Sequence, residues 1–485
     1  MVSHSQNRQA TPQPAAPSTI PSQGLILLVL SAAAFMASLD LFIVNVAFNA
    51  IRHDFAGSSL ADVSWILNGY ATVYAALLVP LGRLADRYGQ KGGFLIGLTM
   101  FVLASGACAL SPGPWWLVCF RLLQAAGAAA LTPTSLSLLL GATEPARRAR
   151  AVRIWAATGA LAAAVGPVVG GALVQAAWQW VFIVNVPIGV ATIIATMRYV
   201  PASRDARAEG NPDLVGAAIL AVSIAALALG VVNGPSWGWS DIKTVVSFVV
   251  AVMGTASFVL RTMRFPEPVI PPSMLSVQTF AWSNISSLVF SFAFAAGLLA
   301  NILWLQQVWG YGPMRVGLAV VPGPVMVQVT ALISHRLIRR GVTAGAISAI
   351  GCALLATGYL LIATTVGHSP HWATEMLPGQ LLIGSGVGFA LPTILSTGTS
   401  DLPAQRTATG SAVLNMSRQV GSVVGVSVLV SIVGSPRGYS EAHGAFRAAW
   451  ITIAATACLA AVASFGMNPH RRSIDQAQVP AAEVA

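Results

Sequence analysis

Charge is what this chain has least of. Asp, Glu, Lys and Arg make up only 8% of its 485 residues, hydrophobic residues make up 55%, and the mean hydropathy is +0.73. A soluble domain is about a quarter charged, so a water-soluble fold is excluded. Acids are the scarcer sign, 15 against 26 bases, which leaves a net charge of +11 and a pI near 10.3. A basic balance can serve nucleic acid, but here the bases never gather on one segment. They recur singly or in twos and threes between apolar runs, which is the pattern of membrane topology and excludes a nucleic-acid partner.

Cysteine is also scarce. Cys108, Cys119, Cys352 and Cys458 lie in or beside apolar runs, and none forms a C-x-x-C pair. They read as small apolar residues, so neither a disulfide frame nor a metal site is expected. No G-x-x-x-x-G-K-[ST] occurs, so no ATP site is visible and no cofactor is expected. The first 22 residues, MVSHSQNRQATPQPAAPSTIPS, are polar and rich in Pro, Ser and Gln. They read as a disordered tail rather than a signal peptide, which would run from a short basic region into an apolar core.

What the chain does have is apolar runs of bilayer length, each about 20 residues or more. Fourteen spans are expected, joined by short connections. The organisation follows as a tail over 1–23, six helices over 24–199, an extra pair over 214–262, six more helices over 281–466 and a second tail over 467–485. The expected class is an all-α integral membrane protein. Alternate loops carry most of the Lys and Arg: Arg83, Arg87 and Lys91; Arg147, Arg148 and Arg150; Arg198, Arg204 and Arg207; Arg261 and Arg264; Arg336, Arg339 and Arg340; Arg406; Arg471 and Arg472. That set belongs to the cytoplasm, and an even span count puts both termini there. A basic turn follows span 2 (GRLADRYGQK) and span 10 (HRLIRRG), while span 5 carries GPVVGG and span 13 GSVVG. Spans 1–6 and 9–14 therefore read as related halves around a midplane site, with spans 7 and 8 inserted.

Asp40 lies within the apolar run LVLSAAAFMASLDLFIVNVAF. A carboxylate there costs roughly 2.5–3.5 kcal/mol to insert and marks a functional site. Arg121 in span 4 falls at a comparable depth when rise per residue is counted from the span centres. An Asp–Arg pair, direct or through water, is the natural arrangement, because buried membrane charges pair or line a wet cavity. Gln124, three residues on, shares the face of Arg121. No second carboxylate lies deep in any span.

Gly159, Gly166, Gly170 and Gly171 line span 5 at helical spacings, with Pro167 among them. Such glycines let membrane helices approach closely, and the proline removes a backbone bond and invites a bend. Between spans 2 and 3, Gly82 and Gly89 suit close approach and a turn. Asp86 is an acid in a basic loop and needs a partner, either the start of span 3 or a neighbouring Arg.

On these stretches the chain resembles the major facilitator superfamily, in its fourteen-span drug:proton antiporter branch. The loop form G-x-L-A-D-R-x-G-R-K is met by Gly82, Leu84, Ala85, Asp86, Arg87, Gly89 and Lys91, with Gln90 where Arg is usual. The span-4 form R-x-x-Q-G-x-G is met by Arg121, Gln124 and Gly127, with Ala125 replacing Gly. The antiporter form G-x(6)-G-P-x-x-G-G is met in full by Gly159, Gly166, Pro167, Gly170 and Gly171. LDLFIVNVAF supplies Asp40 and Asn45 but has Asn49 where Pro is common. WQWVFIVNVP (178–187) has Gln179 for Arg, and Asn415, Arg418, Gln419 and Gly421 resemble the span-13 pattern. The resemblance implies that Asp40 carries the coupled proton with Arg121 as partner, that the glycine–proline helix shapes antiport, and that the Gly82–Lys91 loop gates the cytoplasmic side.

Asn45, Gln124, Asn415 and Arg418 are the candidates for lining a substrate cavity. For Arg418 two readings stand open, neutralising a substrate anion or lying at the inner interface of span 13. His368, His371 and Glu375 have ligand-like spacing in a loop but offer only a weak metal or catalytic group. The expected function is proton-coupled export of amphipathic small molecules, drugs or secondary metabolites, by a monomer in the cell inner membrane. An exporter of one endogenous metabolite and a proton symporter for uptake are the alternatives within transport, and an enzyme is not expected.

Overall fold

A computed structural model describes residues 23–468 apart from Ala56, 202–212 and 404–405. Most of both tails, together with Arg204, Arg207, Arg471 and Arg472, lies outside the described residues. Among those described, fourteen helices are long and apolar enough to cross a membrane, and no strand forms. The reason is elementary: hydrocarbon offers no partner to a backbone N–H or C=O, and only a helix satisfies both within one segment.

In chain order the helices are α1 (Gln23–Asp54), α2 (Leu60–Tyr88), α3 (Gln90–Ala109), α4 (Pro114–Ala142), α5 (Pro145–Ala176) and α6 (Asn185–Tyr199, preceded by a helical turn Trp180–Ile183). The inserted pair is α7 (Leu214–Trp237) and α8 (Ile242–Arg264). The second six are α9 (Gln278–Leu303, prolonged by a wider π turn Trp304–Val308), α10 (Pro313–Arg339), α11 (Ala344–Thr365), α12 (Leu377–Ser400), α13 (Thr407–Val433) and α14 (Tyr439–Ser464). Several helices outrun their apolar segments. α1 continues to Asp54, and α14 starts at Tyr439, where the apolar run starts near residue 446. The added turns carry exposed polar groups such as Glu441, which are solvated beyond the hydrocarbon while the backbone ladder simply continues.

Helix ends are set by local chemistry. Ser59 and Asp62 form a reciprocal capping box at the start of α2, satisfying two orphan N–H donors. Gly89, at φ 127°, breaks α2 from α3 in a conformation that favours glycine. Asp213 caps α7 by accepting from the Gly216 N–H, and it also accepts from Arg261 Nε of α8 at 2.7 Å, which staples the inserted pair together.

The two halves repeat one packing scheme. In the first, α1 packs on α5 and α6, and α4 packs on α2 and α3; in the second, α9 packs on α13 and α14, and α12 packs on α10 and α11. The shift is eight helices throughout. The seams between halves obey it too, since α2 meets α13 and α5 meets α10. Asn68 donates to Ser427 Oγ at 3.1 Å across the first seam. At the second, Gly171 lies against the Pro313 backbone and Gly317 against the Pro167 backbone. Gln306 donates to the Val46 carbonyl at 3.0 Å, joining α1 to the end of α9. These latches all lie in the half of the bundle away from the basic loops. In the inserted pair, α7 packs on α2 and α13, and α8 packs on α7.

Candidate functional site

Asp40 is fully buried near the middle of α1. The apolar run centres that span near residue 36, four residues before Asp40, and the midpoint of the longer helix falls at about residue 38. Arg121 of α4, 1% exposed, donates from Nη1 to Asp40 Oδ2 at 2.5 Å. Gln124 Nε2 donates to Asp40 Oδ1 at 3.0 Å, and Asn185 Nδ2 donates to the same oxygen at 3.2 Å. Three N–H donors from α4 and α6 thus converge on one carboxylate.

The donors are themselves held. Arg121 Nη1 also donates to Gln124 Oε1 at 2.8 Å and its Nε to the Ile66 carbonyl at 3.3 Å. The guanidinium carbon lies 3.9 Å from the centre of the Tyr70 ring, a cation–π contact worth most when desolvated. Ser105 Oγ accepts from Gln124 at 3.2 Å and from Asn185 at 3.1 Å, and donates to the Phe182 carbonyl at 2.9 Å. Every partner around Asp40 offers N–H. A carboxylate offers about four lone-pair sites, of which these donors fill three, and neutralising its charge would weaken the charge-assisted bond to Arg121.

The structure brings Asp40, Arg121 and Gln124 together and leaves Asn45 apart. The Asn45 amide, one helical turn further on, donates to the carbonyl of Leu41 in its own helix at 2.7 Å. Residues absent from the sequence reading complete the cluster: Asn185, Ser105 and Tyr70. Asn185 stands in the WQWVFIVNVP stretch, where a polar residue opening a new helix resembles an ordinary helix start. Its signal was its place in that motif.

The glycine–proline helix has a definite task. Gly159 faces Ser38, Gly166 faces Phe42 and Gly170 faces the Ile43 backbone, so the ridge of α5 beds the stretch of α1 that carries Asp40. A side-chain carbon at position 170 would come within 3.1 Å of Ile43. Gly171 and Pro167 look the other way, onto α10 of the second half. The motif helix is therefore wedged between the carboxylate-bearing helix and the opposing half.

At the basic end, Gly82 packs against Pro133, and Asp86 Oδ1 accepts from Gln90 Nε2 at 3.0 Å. α3 starts at Gly89 without a side-chain cap, so the capping reading of Asp86 gives way to this contact. Gln90, the departure from the usual Arg, still supplies a donor to Asp86. Arg87 lies 5.3 Å from the Tyr88 ring, and Lys91 Nζ donates to the Met197 carbonyl at 3.1 Å.

In the second half, Arg418 Nη1 donates to Asn415 Oδ1 at 2.9 Å. α13 runs over Thr407–Val433, so Arg418 lies about two residues from the helix midpoint, and the interface reading of that residue falls. His371 pairs with Glu375 at 3.3 Å, and His368 lies against the Tyr439 ring; no cluster of metal-ligating residues occurs among the described residues.

Two related helical halves, an inserted pair and a clamped carboxylate within a span define a multi-pass membrane transporter rather than an enzyme. The family model of the Major Facilitator Superfamily matches residues 30–426, and the chain belongs to that superfamily, in its fourteen-span drug:proton antiporter branch. It is 32% identical to the methylenomycin A resistance protein of Bacillus subtilis (strain 168), over 87% of this chain and 90% of that protein. It is also 32% identical to the tetracenomycin C resistance and export protein of Streptomyces glaucescens, over 85% of this chain and 76% of the relative. The crystal structure of the peptide transporter POT in complex with sulfate superposes with a TM-score of 0.66 at 18% identity, covering 92% of this chain and 94% of that one; at that identity the likeness speaks for the fold.

Proposed function

We propose that this protein exports amphipathic small molecules, drugs or secondary metabolites, in exchange for protons. The observation that carries the proposal is the Asp40 clamp: a buried carboxylate held by Arg121, Gln124 and Asn185, whose hold on Arg121 weakens once its charge is neutralised. Two relatives named for antibiotic resistance, one of them also for export, support the direction.

The cycle follows from charge and packing. With Asp40 ionised, α1 and α4 are locked together through Arg121. A proton reaching Asp40 weakens its hold on Arg121 and lets α1 shift along the glycine ridge of α5. Because α5 also abuts α10 through Pro167 and Gly171, that shift is transmitted to the seam between halves. The basic loops lie at the cytoplasmic face of the inner membrane, both termini are cytoplasmic, and the unit that works is the monomer. The latches on the far side hold the outer end shut in this conformation.

Inverted membrane vesicles test the reading. Wild-type vesicles made inside-acid accumulate substrate such as a lipophilic dye, and Asp40→Asn abolishes the accumulation while the protein remains in the membrane. Undiminished gradient-driven accumulation by Asp40→Asn refutes it. Uptake into whole cells driven by the same gradient would instead support the symport alternative.

A further inference from the structure

Among the described residues, three charged side chains are buried or partly buried and at least seven residues from either end of their helix: Asp40, Arg121 and Arg418. One negative and two positive charges do not balance. Asp40 and Arg121 neutralise each other, so the excess belongs to Arg418. No carboxylate pairs with it among the described residues, and its Nε is buried without any hydrogen-bond partner. Its one side-chain bond is to Asn415, a neutral amide of its own helix. The residue as a whole is only partly covered.

An uncompensated cation at the middle of a membrane helix is costly, and an unsatisfied charged donor adds to that cost. The surroundings suggest what relieves it. The helix that carries Arg418 packs on α2 across the seam between the halves, and Tyr74 stands at the midpoint of α2. The Tyr74 ring stacks on Tyr70 with centroids 6.1 Å apart and an interplanar angle of 10°, and Tyr70 in turn covers Arg121. The Tyr74 hydroxyl donates to Thr132 at 3.2 Å, which fixes the ring. A guanidinium fork suits a planar acid such as a carboxylate, which it can hold through two parallel hydrogen bonds.

We propose that Arg418 is the anchor for a single anionic group on the transported molecule, so that this carrier selects lipophilic monoanions, carboxylates or phenolates, over cations. The assignment rests on the export reading above and specifies its cargo. A bound monoanion brings the summed charge to zero, whereas a cation would raise it to two.

The test is binding to the full-length protein in nanodiscs of zwitterionic lipid, with anthracene-9-carboxylate and anthracene-9-carboxamide as probes. Wild type is expected to bind the carboxylate at least tenfold more tightly than the carboxamide. Arg418→Gln erases the preference while leaving carboxamide affinity in place, which also reports an intact fold, and Arg418→Lys keeps most of the preference. Equal affinities in wild type, or a preference that survives Arg418→Gln, overturn the proposal. So does loss of carboxylate binding when phosphatidylglycerol is added to the discs, since a lipid phosphate is then the occupant. Binding needs no gradient, so failure here leaves the Asp40→Asn vesicle result standing, and the reverse also holds.

Discussion

Arg121 in the first half is surrounded, with Asp40, Gln124 and a backbone carbonyl on its nitrogens and Tyr70 across its face, while Arg418 in the second has one amide and a bare Nε. The contrast deepens when the halves are aligned on their own close contacts. α3 and α4 touch at Gly97 and Gly127, and α11 and α12 touch at Gly351 and Gly386. Counting back equally from Gly127 and Gly386, Gln380 stands where Arg121 does, and its amide is buried with neither atom bonded. Gly170 beds on Ile43 and Gly425 on Phe292, which sets Val289 against Asp40. The second half therefore has the same scaffold with the ion pair removed. The packing is present twice, but the carboxylate and its arginine are present in one half.

Identical substitutions at the two arginines should break the comparison most clearly. Arg121→Met strands an ionised Asp40 and is expected to cost about 3–5 kcal/mol, read as a large drop in the apparent unfolding midpoint in detergent. Arg418→Met removes a charge that nothing compensates and is expected to leave the midpoint unchanged or raised. A similar loss in both would mean that Arg418 has a partner as strong as Asp40. The shared packing predicts agreement instead of contrast. Gly170→Leu and Gly425→Leu should each destabilise by about 2–3 kcal/mol through overpacking, and a marked inequality would show that the two glycine ridges are not equivalent. The smallest effect is expected at Asn185→Ala, about 1.5 kcal/mol for one lost hydrogen bond to a charge. Its vesicle uptake should shift in pH dependence while persisting, because Arg121 and Gln124 still hold Asp40.

Much of this was legible beforehand, for physical reasons. Hydrocarbon imposes one secondary structure and a minimum length, so composition alone yields the helices, and the basic loops number them. Depth is nearly one-dimensional along a membrane helix, so Asp40 and Arg121 could be matched by counting residues. What counting cannot supply is azimuth. Asn45 lies near Asp40 in sequence but its amide turns to its own helix, whereas Asn185, far along the chain, reaches the carboxylate. Tyr70 reads as one more aromatic in an apolar run until the fold lays it on Arg121. Arg418 was ambiguous because its place along the span says nothing of what its side chain meets.

The inserted pair, stapled by Asp213 and Arg261 and packed through α7 on α2 and α13, gives the molecule a handed outline in the plane of the membrane. One flank is screened by two extra helices and the other, along α5 and α10, borders the lipid directly. A greasy cargo dissolved in the leaflet would therefore find the two flanks unequal, with lateral entry favoured on the unscreened side.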